Sequence, residues 1–122
     1  MSERISEAEH AVMEVLWRES PLGATDVADR VDPRRGWSAR TVKTMLSRLL
    51  AKGVLAHEED GRRFLYRPTI SRDEFVTRES RRLLDRMFGG RITPLVAHLA
   101  EREDLTRRDI EEIEALLKAL KS

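Results

Sequence analysis

Between Trp37 and Gly53 the chain carries Arg40, Thr41, Lys43, Thr44, Ser47 and Arg48, interleaved with Val42, Met45, Leu46, Leu49 and Leu50. At helical spacing the apolar set forms one stripe, which leaves the hydroxyls and cations on the opposite face. Short hydroxyl and long cationic donors are the side chains that reach base edges and phosphate oxygens in a DNA groove. Ser38 is placed to cap this helix, and the free amides at Ala39 and Arg40 could also receive a phosphate. Two further basic pairs flank it: Arg34-Arg35 in the loop before the helix and Arg62-Arg63 in a turn after it. Both are candidate phosphate contacts. The competing reading is a solvated surface, since the outer face of any small helical domain is polar.

The elements that would position these residues are legible from caps and breakers. Ser6 and Glu9 form a capping box ahead of Ala8, Val12, Val15 and Leu16, with Trp17 beside them, and Pro21 and Gly23 end that helix. A short second helix is expected after Thr25 as N-cap, carrying Val27, Ala28 and Val31. Asp32 to Gly36 reads as a loop. Trp37 before the Ser38 cap and Val42 within the third helix make a hydrophobic staple, and Gly53 stops that helix. A hairpin follows, with Val54–Glu58 and Arg63–Arg67 as strands and Asp60-Gly61 as the turn signal. Phe64 and Tyr66 share one of its faces. Beyond Pro68 the pattern is purely helical: a Ser71/Glu74 cap, a break at Gly89-Gly90, a start at Thr93-Pro94, and a last helix capped by Thr106 with Asp109 three residues on.

These elements predict a mainly α chain with a small β-hairpin wing. Residues 1–72 form a winged helix-turn-helix, and 73–122 form a three-helix dimerisation region. A segment of that size in three short helices is too small to bury a core alone, and a partner is the usual remedy. Phe75, Val76, Leu83, Leu84, Met87, Leu95, Leu99, Ile110, Ile113, Leu117 and Leu120 are the candidates for a core shared by two copies. A two-fold dimer sets its recognition helices about 34 Å apart, or a multiple, and so requires a palindromic site.

Charge sharpens the picture. The 122 residues carry a formal net charge of only +1. That total conceals a strongly uneven distribution: −5 over residues 1–32, +7 over 33–72 and −1 over 73–122. The basic block contains the third helix and the wing, and counterion release depends on such local density. The chain has no cysteine, which excludes disulfides, thiolate metal sites and thiol nucleophiles. His10, His57 and His98 stand at no ligand spacing, so no metal or cofactor is expected. Nor is there a glycine-rich phosphate loop, an HExxH motif or a nucleophile beside a base, so an enzyme is not expected. No apolar run is long enough for a membrane span and no secretory leader is visible, so a cytoplasmic location is expected.

Several pieces in order carry a family resemblance. They are Ile5-Ser6-Glu7-Ala8-Glu9 with Val12-Met13 and Leu16-Trp17, Trp37-Ser38-Ala39-Arg40-Thr41-Val42-Lys43-Thr44, and Leu49 with Lys52-Gly53. Gly61 through Pro68, Phe88-Gly89-Gly90 and Leu105-Thr106 before Ile110-Glu111 complete them. Over nearly its whole length the chain resembles the penicillinase repressor family of bacterial winged-helix regulators, the BlaI/MecI/CopY group. The resemblance implies a homodimeric transcriptional repressor that binds double-stranded operator DNA with its N-terminal part and dimerises through its C-terminal helices. It places Arg40, Thr41, Lys43, Thr44 and Arg48 where the family's recognition helix meets the operator.

The resemblance also implies a switch. The copper-responsive branch uses a C-terminal cysteine cluster, which this chain lacks. In the β-lactam-responsive branch a membrane sensor leads to cleavage of an Asn–Phe bond in the helix after the Gly-Gly. The matching positions are His98 and Leu99, so the register is kept and the residue types are not. A sensor-linked protease is therefore the partner implied for derepression. Two other readings stand beside the repressor: a winged-helix module whose basic face binds an acidic protein, and a different winged-helix regulator of the MarR kind.

Overall fold

Ser6 opens the first helix as expected. Its hydroxyl accepts from the Glu9 amide at 3.1 Å, and the Glu9 carboxylate accepts from the Ser6 amide at 2.8 Å. In the computed structural model, which describes residues 4–122, this helix is α1 (Glu7–Arg18). It is followed by α2 (Ala24–Arg30), a 3-10 turn at Pro33–Arg35, α3 (Ala39–Ala51), β1 (Leu55–Asp60), β2 (Arg63–Pro68), α4 (Arg72–Met87), α5 (Ile92–Glu101) and α6 (Arg107–Lys121). The chain divides into two compact units, the first ending at Val76 and the second beginning at Thr77.

In the first unit, α1, α2 and α3 enclose a core of Val12, Met13, Leu16, Val27, Val42, Leu46 and Leu49, all almost fully buried. Ser38 caps α3 through the Thr41 amide, and Trp37 before it is half-buried against that core. At the other end Gly53 adopts φ 78°. The Gly53 amide bonds to the Leu50 carbonyl and the Val54 amide to that of Leu49, a Schellman closure that turns the chain into the hairpin. The strands are antiparallel, in register from Leu55 opposite Pro68 to Asp60 opposite Arg63. Tyr66 and Leu22 also exchange backbone hydrogen bonds, which lays the wing against the segment between α1 and α2.

The structure moves several boundaries. The two-residue turn is Gly61-Arg62, not Asp60-Gly61: positive φ falls on Gly61, and Arg62 stays outside the left-handed region, so strand β1 keeps Asp60. Helix α2 begins at Ala24 with Gly23 as N-cap and no side-chain cap, so Thr25 lies inside the first turn. Helix α5 begins at Ile92, two residues ahead of Pro94, whose missing amide is still tolerated within the first turn. Thr106 and Asp109 form the reciprocal cap expected for α6.

Phe75 requires a larger correction. Although α4 carries it, the ring is buried in the first unit, 5.3 Å from Trp17 and 5.6 Å from His10 between ring centroids. It therefore completes the core under α1 and leaves the set of residues offered for a core shared between copies. Trp17 is fixed in turn by donating Nε1–H to the Ile70 carbonyl at 2.9 Å.

The second unit holds the rest of α4, α5 and α6. No residue from Thr77 to Ser122 is fully buried. Met87 is 60% exposed, Leu117 51% and Leu120 80%, with Leu83 and Ile110 also exposed. Leu84, Leu95, Leu99 and Ile113 are half-buried. Ile92 and Leu116 are as exposed as these and belong with them, although the helical pattern alone did not single them out.

Candidate nucleic-acid interface

Helix α3 presents two faces of opposite chemistry. Val42, Met45, Leu46 and Leu49 are buried, and Arg40, Thr41, Lys43, Thr44, Ser47 and Arg48 are all exposed. Thr41 and Thr44 are partly engaged: the Thr41 hydroxyl lies 3.2 Å from that of Ser38, and the Thr44 hydroxyl donates to the Arg40 carbonyl. Two hollows bound this ridge. One, of about 260 Å³, lies between the start of α2, Lys43 and the wing residues Arg62, Arg63 and Phe64. The other, of about 420 Å³, is lined by Ser6, Trp37, Thr41 and Arg48 on the α1 side.

The cations fall into two groups. Among the described residues, no carboxylate pairs with Arg40, Lys43, Arg48 or Arg62, which leaves these four available to an external anion. The others are already engaged. Arg34 reaches Asp32 at 2.8 Å, and this hydrogen bond, helped by the Arg34 amide, holds the Asp32 carboxyl below its usual range. Arg35 binds Glu7, lowering that carboxyl in the same way, and its guanidinium lies 4.7 Å from the Trp37 ring centroid. Arg63 is held by Asp26 at 3.6 Å and Asp60 at 3.4 Å.

Sequence reasoning missed the pair that orients α3. Lys52 Nζ lies 2.6 Å from Glu9 Oε1, and both side chains are largely buried. A signal was present: Glu9 precedes Met13 by four residues and so falls on the apolar stripe of α1, where an acid requires a partner. Lys52 continues the Met45–Leu49 stripe in the same sense.

Three packed helices followed by a two-stranded wing, with a polar third-helix face, define a winged helix-turn-helix. Residues 5–119 match the model of the penicillinase repressor family. A penicillinase repressor of Bacillus licheniformis is 33% identical over 119 residues, spanning 98% of this chain and 93% of that protein. The methicillin resistance regulatory protein MecI of Mammaliicoccus sciuri is 28% identical over 113 residues, 93% of this chain and 92% of that one. Among solved structures, the DNA-binding domain of the repressor BlaI superposes with TM-score 0.53 at 38% identity, covering 61% of this chain and 93% of that domain. The Bacillus licheniformis BlaI monomeric form in complex with the blaP half-operator gives 0.51 at 38% identity, covering 61% and 90%. The chain belongs to the penicillinase repressor family, a family of transcriptional repressors and not of enzymes. Among the described residues no helix is long and apolar enough to cross a membrane, and no group of His, Cys, Asp and Glu is arranged to hold a metal.

Proposed function

We propose that this protein is a homodimeric repressor that binds a palindromic operator through α3 and the wing. The observation that carries the reading is the outward face of α3, where every polar residue from Arg40 to Arg48 is exposed above a buried apolar stripe. Arg40, Lys43, Thr44, Ser47 and Arg48 are assigned to base edges and adjacent phosphates, with Thr41 beside the helix start. Arg62 and Arg63 in the wing, and Arg34 and Arg35 before α3, are assigned to the flanking backbone. The likeness to a BlaI form solved on a half-operator supports DNA as the partner. We place the protein in the cytoplasm, where its operator is.

The exposed apolar residues of α4, α5 and α6 support the second copy. A unit that buries none of its own residues fully gains most by pairing like with like. Val76, Leu83, Met87, Ile110, Leu117 and Leu120 are assigned to that contact, together with Ile92 and Leu116. We extend the proposal to release by a sensor-linked protease acting in α5. His98 is exposed there, while the Leu99 carbonyl accepts from the Asp104 amide at the helix end, so cutting His98–Leu99 requires local unwinding.

A gel shift with the purified chain tests the central reading. A palindromic operator selected by the protein is expected to outcompete a scrambled duplex of equal length. Equal binding of the two would favour an acidic-protein partner for the same face.

A further inference from the structure

The hollow between α2, α3 and the wing holds three cations that differ in state. Lys43 and Arg62 have no ion-pair partner among the described residues, and Arg63 has two. Asp60 sits three residues from Arg63 in the same hairpin and moves with it. Asp26 comes from α2, and its Oδ2 lies 3.6 Å from Arg63 Nη1, so it ties the wing arginine to the helix-turn-helix. The backbone approach there is close but unstrained: a Cβ placed on Gly23 would lie 3.6 Å from the Phe64 carbonyl oxygen and 3.7 Å from Arg63 Cδ. In the free protein Arg63 rests on Asp26 as well as on Asp60.

Resting on the reading that α3 and the wing bind a duplex, we propose that Asp26 is an internal counter-anion that a DNA backbone phosphate must displace from Arg63. A duplex lying on the exposed face of α3 brings a sugar-phosphate strand past Lys43 and the wing tip. Arginine prefers the phosphate because its planar fork can donate two parallel hydrogen bonds to it. The exchange is available because Arg63 is exposed and Asp26 only half-buried, and such solvent-accessible pairs are weak. Once Arg63 turns to the phosphate, Asp26 loses that partner and keeps only Arg30 on its own helix, 4.0 Å away, so binding gives up the Asp26–Arg63 pair. The carboxylate thus lowers sequence-independent affinity, and base contacts from α3 carry a larger share of the binding. Glu58 and Glu59, on the other strand of the wing, have no ion-pair partner among the described residues and lack this coupling to an arginine.

The test is fluorescence anisotropy of a random-sequence duplex against the full chain over a salt series. Asp26→Asn is expected to bind about two- to fivefold tighter than wild type, with a log–log salt slope steeper by up to about one. Asp26→Glu, which keeps the charge, is expected to bind as wild type, and Glu59→Gln to gain less than Asp26→Asn. In an Arg63→Ala background Asp26→Asn is expected to gain much less, since only the carboxylate's general repulsion of the strand is then relieved. A gain of undiminished size without Arg63, or an Asp26→Asn protein that binds as wild type, overturns the proposal. Lys43→Ala separates this from the underlying reading: if it weakens binding while Asp26→Asn changes nothing, the DNA face stands and the counter-anion falls. If the wild type binds no duplex, both fall.

Discussion

Lys52, at the C-terminal end of α3, is bound to Glu9 in the first turn of α1 by a 2.6 Å ion pair. The same Glu9 oxygen accepts the Ser6 amide, and Lys52 also donates to the Arg4 carbonyl at 2.8 Å. One carboxylate therefore closes the start of α1 and fixes the end of the helix that carries the polar face. Its second oxygen has no hydrogen-bond partner among the described residues, so the pair has little to spare. Glu9→Ala leaves Lys52 mostly buried without its anion and is expected to cost about 3 kcal/mol of stability. Glu9→Gln, which keeps the cap, is expected to cost less. Urea denaturation of the two variants beside wild type measures both.

Acid should weaken the fold through the same residue. Burial raises the Glu9 carboxyl, but the hydrogen bond from Lys52 and those from Ser6 outweigh it, and the net direction is downward. Glu14 is also lowered, chiefly by its hydrogen bond with Arg72. A carboxyl depressed in the folded state contributes stability above its unfolded value, about 4.3 for Glu, and loses it as pH falls through the folded value. Stability is therefore expected to be flat near neutrality and to fall below about pH 4. Glu9→Gln should flatten that fall, and melting temperature against pH in the two proteins checks it.

Phe75 and Leu120 should separate folding from association. Phe75→Ala removes a ring buried against Trp17 and His10 and is expected to cost about 3 kcal/mol, with self-association unchanged. Leu120→Asp alters a residue that is 80% exposed and is expected to leave the first unit's melting unchanged while reducing self-association. Sedimentation velocity and thermal melts on both variants give the contrast.

Glu103 closes α5 in the left-handed region, at φ 61°. The Asp104 amide bonds to the Leu99 carbonyl and the Glu103 amide to that of Ala100, the closure in which glycine is usual. Replacing Glu103 with Gly is expected to stabilise the chain by roughly 0.5–1 kcal/mol, since a side chain there costs about 1–2 kcal/mol and glycine's extra freedom returns part of it. Chemical denaturation reads the change.

The unpaired and paired cations should differ in salt dependence. Arg40→Ala, Lys43→Ala, Arg48→Ala and Arg62→Ala are each expected to reduce the log–log slope of duplex binding by about one where the residue meets a phosphate. Arg34→Ala and Arg35→Ala should change it less, because Asp32 and Glu7 already offset those charges. Anisotropy titrations at several salt concentrations distinguish the groups.

The order of helices, the polar face of α3 and the wing were legible because each rests on local rules: caps at Ser6 and Ser38, a glycine stop at Gly53, and a 3.6-residue stripe. The turn slipped by one residue because Asp60-Gly61 and Gly61-Arg62 both suit a two-residue hairpin, and only pairing across the strands decides between them. Phe75 was misplaced because a helical stripe shows which residues seek burial and not which core receives them. Its fate depends on Trp17, nearly sixty residues earlier. Glu9–Lys52 and Asp26–Arg63 likewise join residues far apart in the chain, where charge pattern names candidates and only geometry pairs them.

Selection of bound duplexes from a random library, repeated with Arg40→Ala and Lys43→Ala, reads out directly whether α3 recognises a palindrome. The wild-type chain is expected to enrich an inverted repeat whose half-sites lie about one DNA turn apart or a multiple. The variants are expected to lose enrichment at defined positions of each half-site. Absence of any enriched sequence, or an enriched repeat that both variants recover unchanged, rules out recognition by this face of α3.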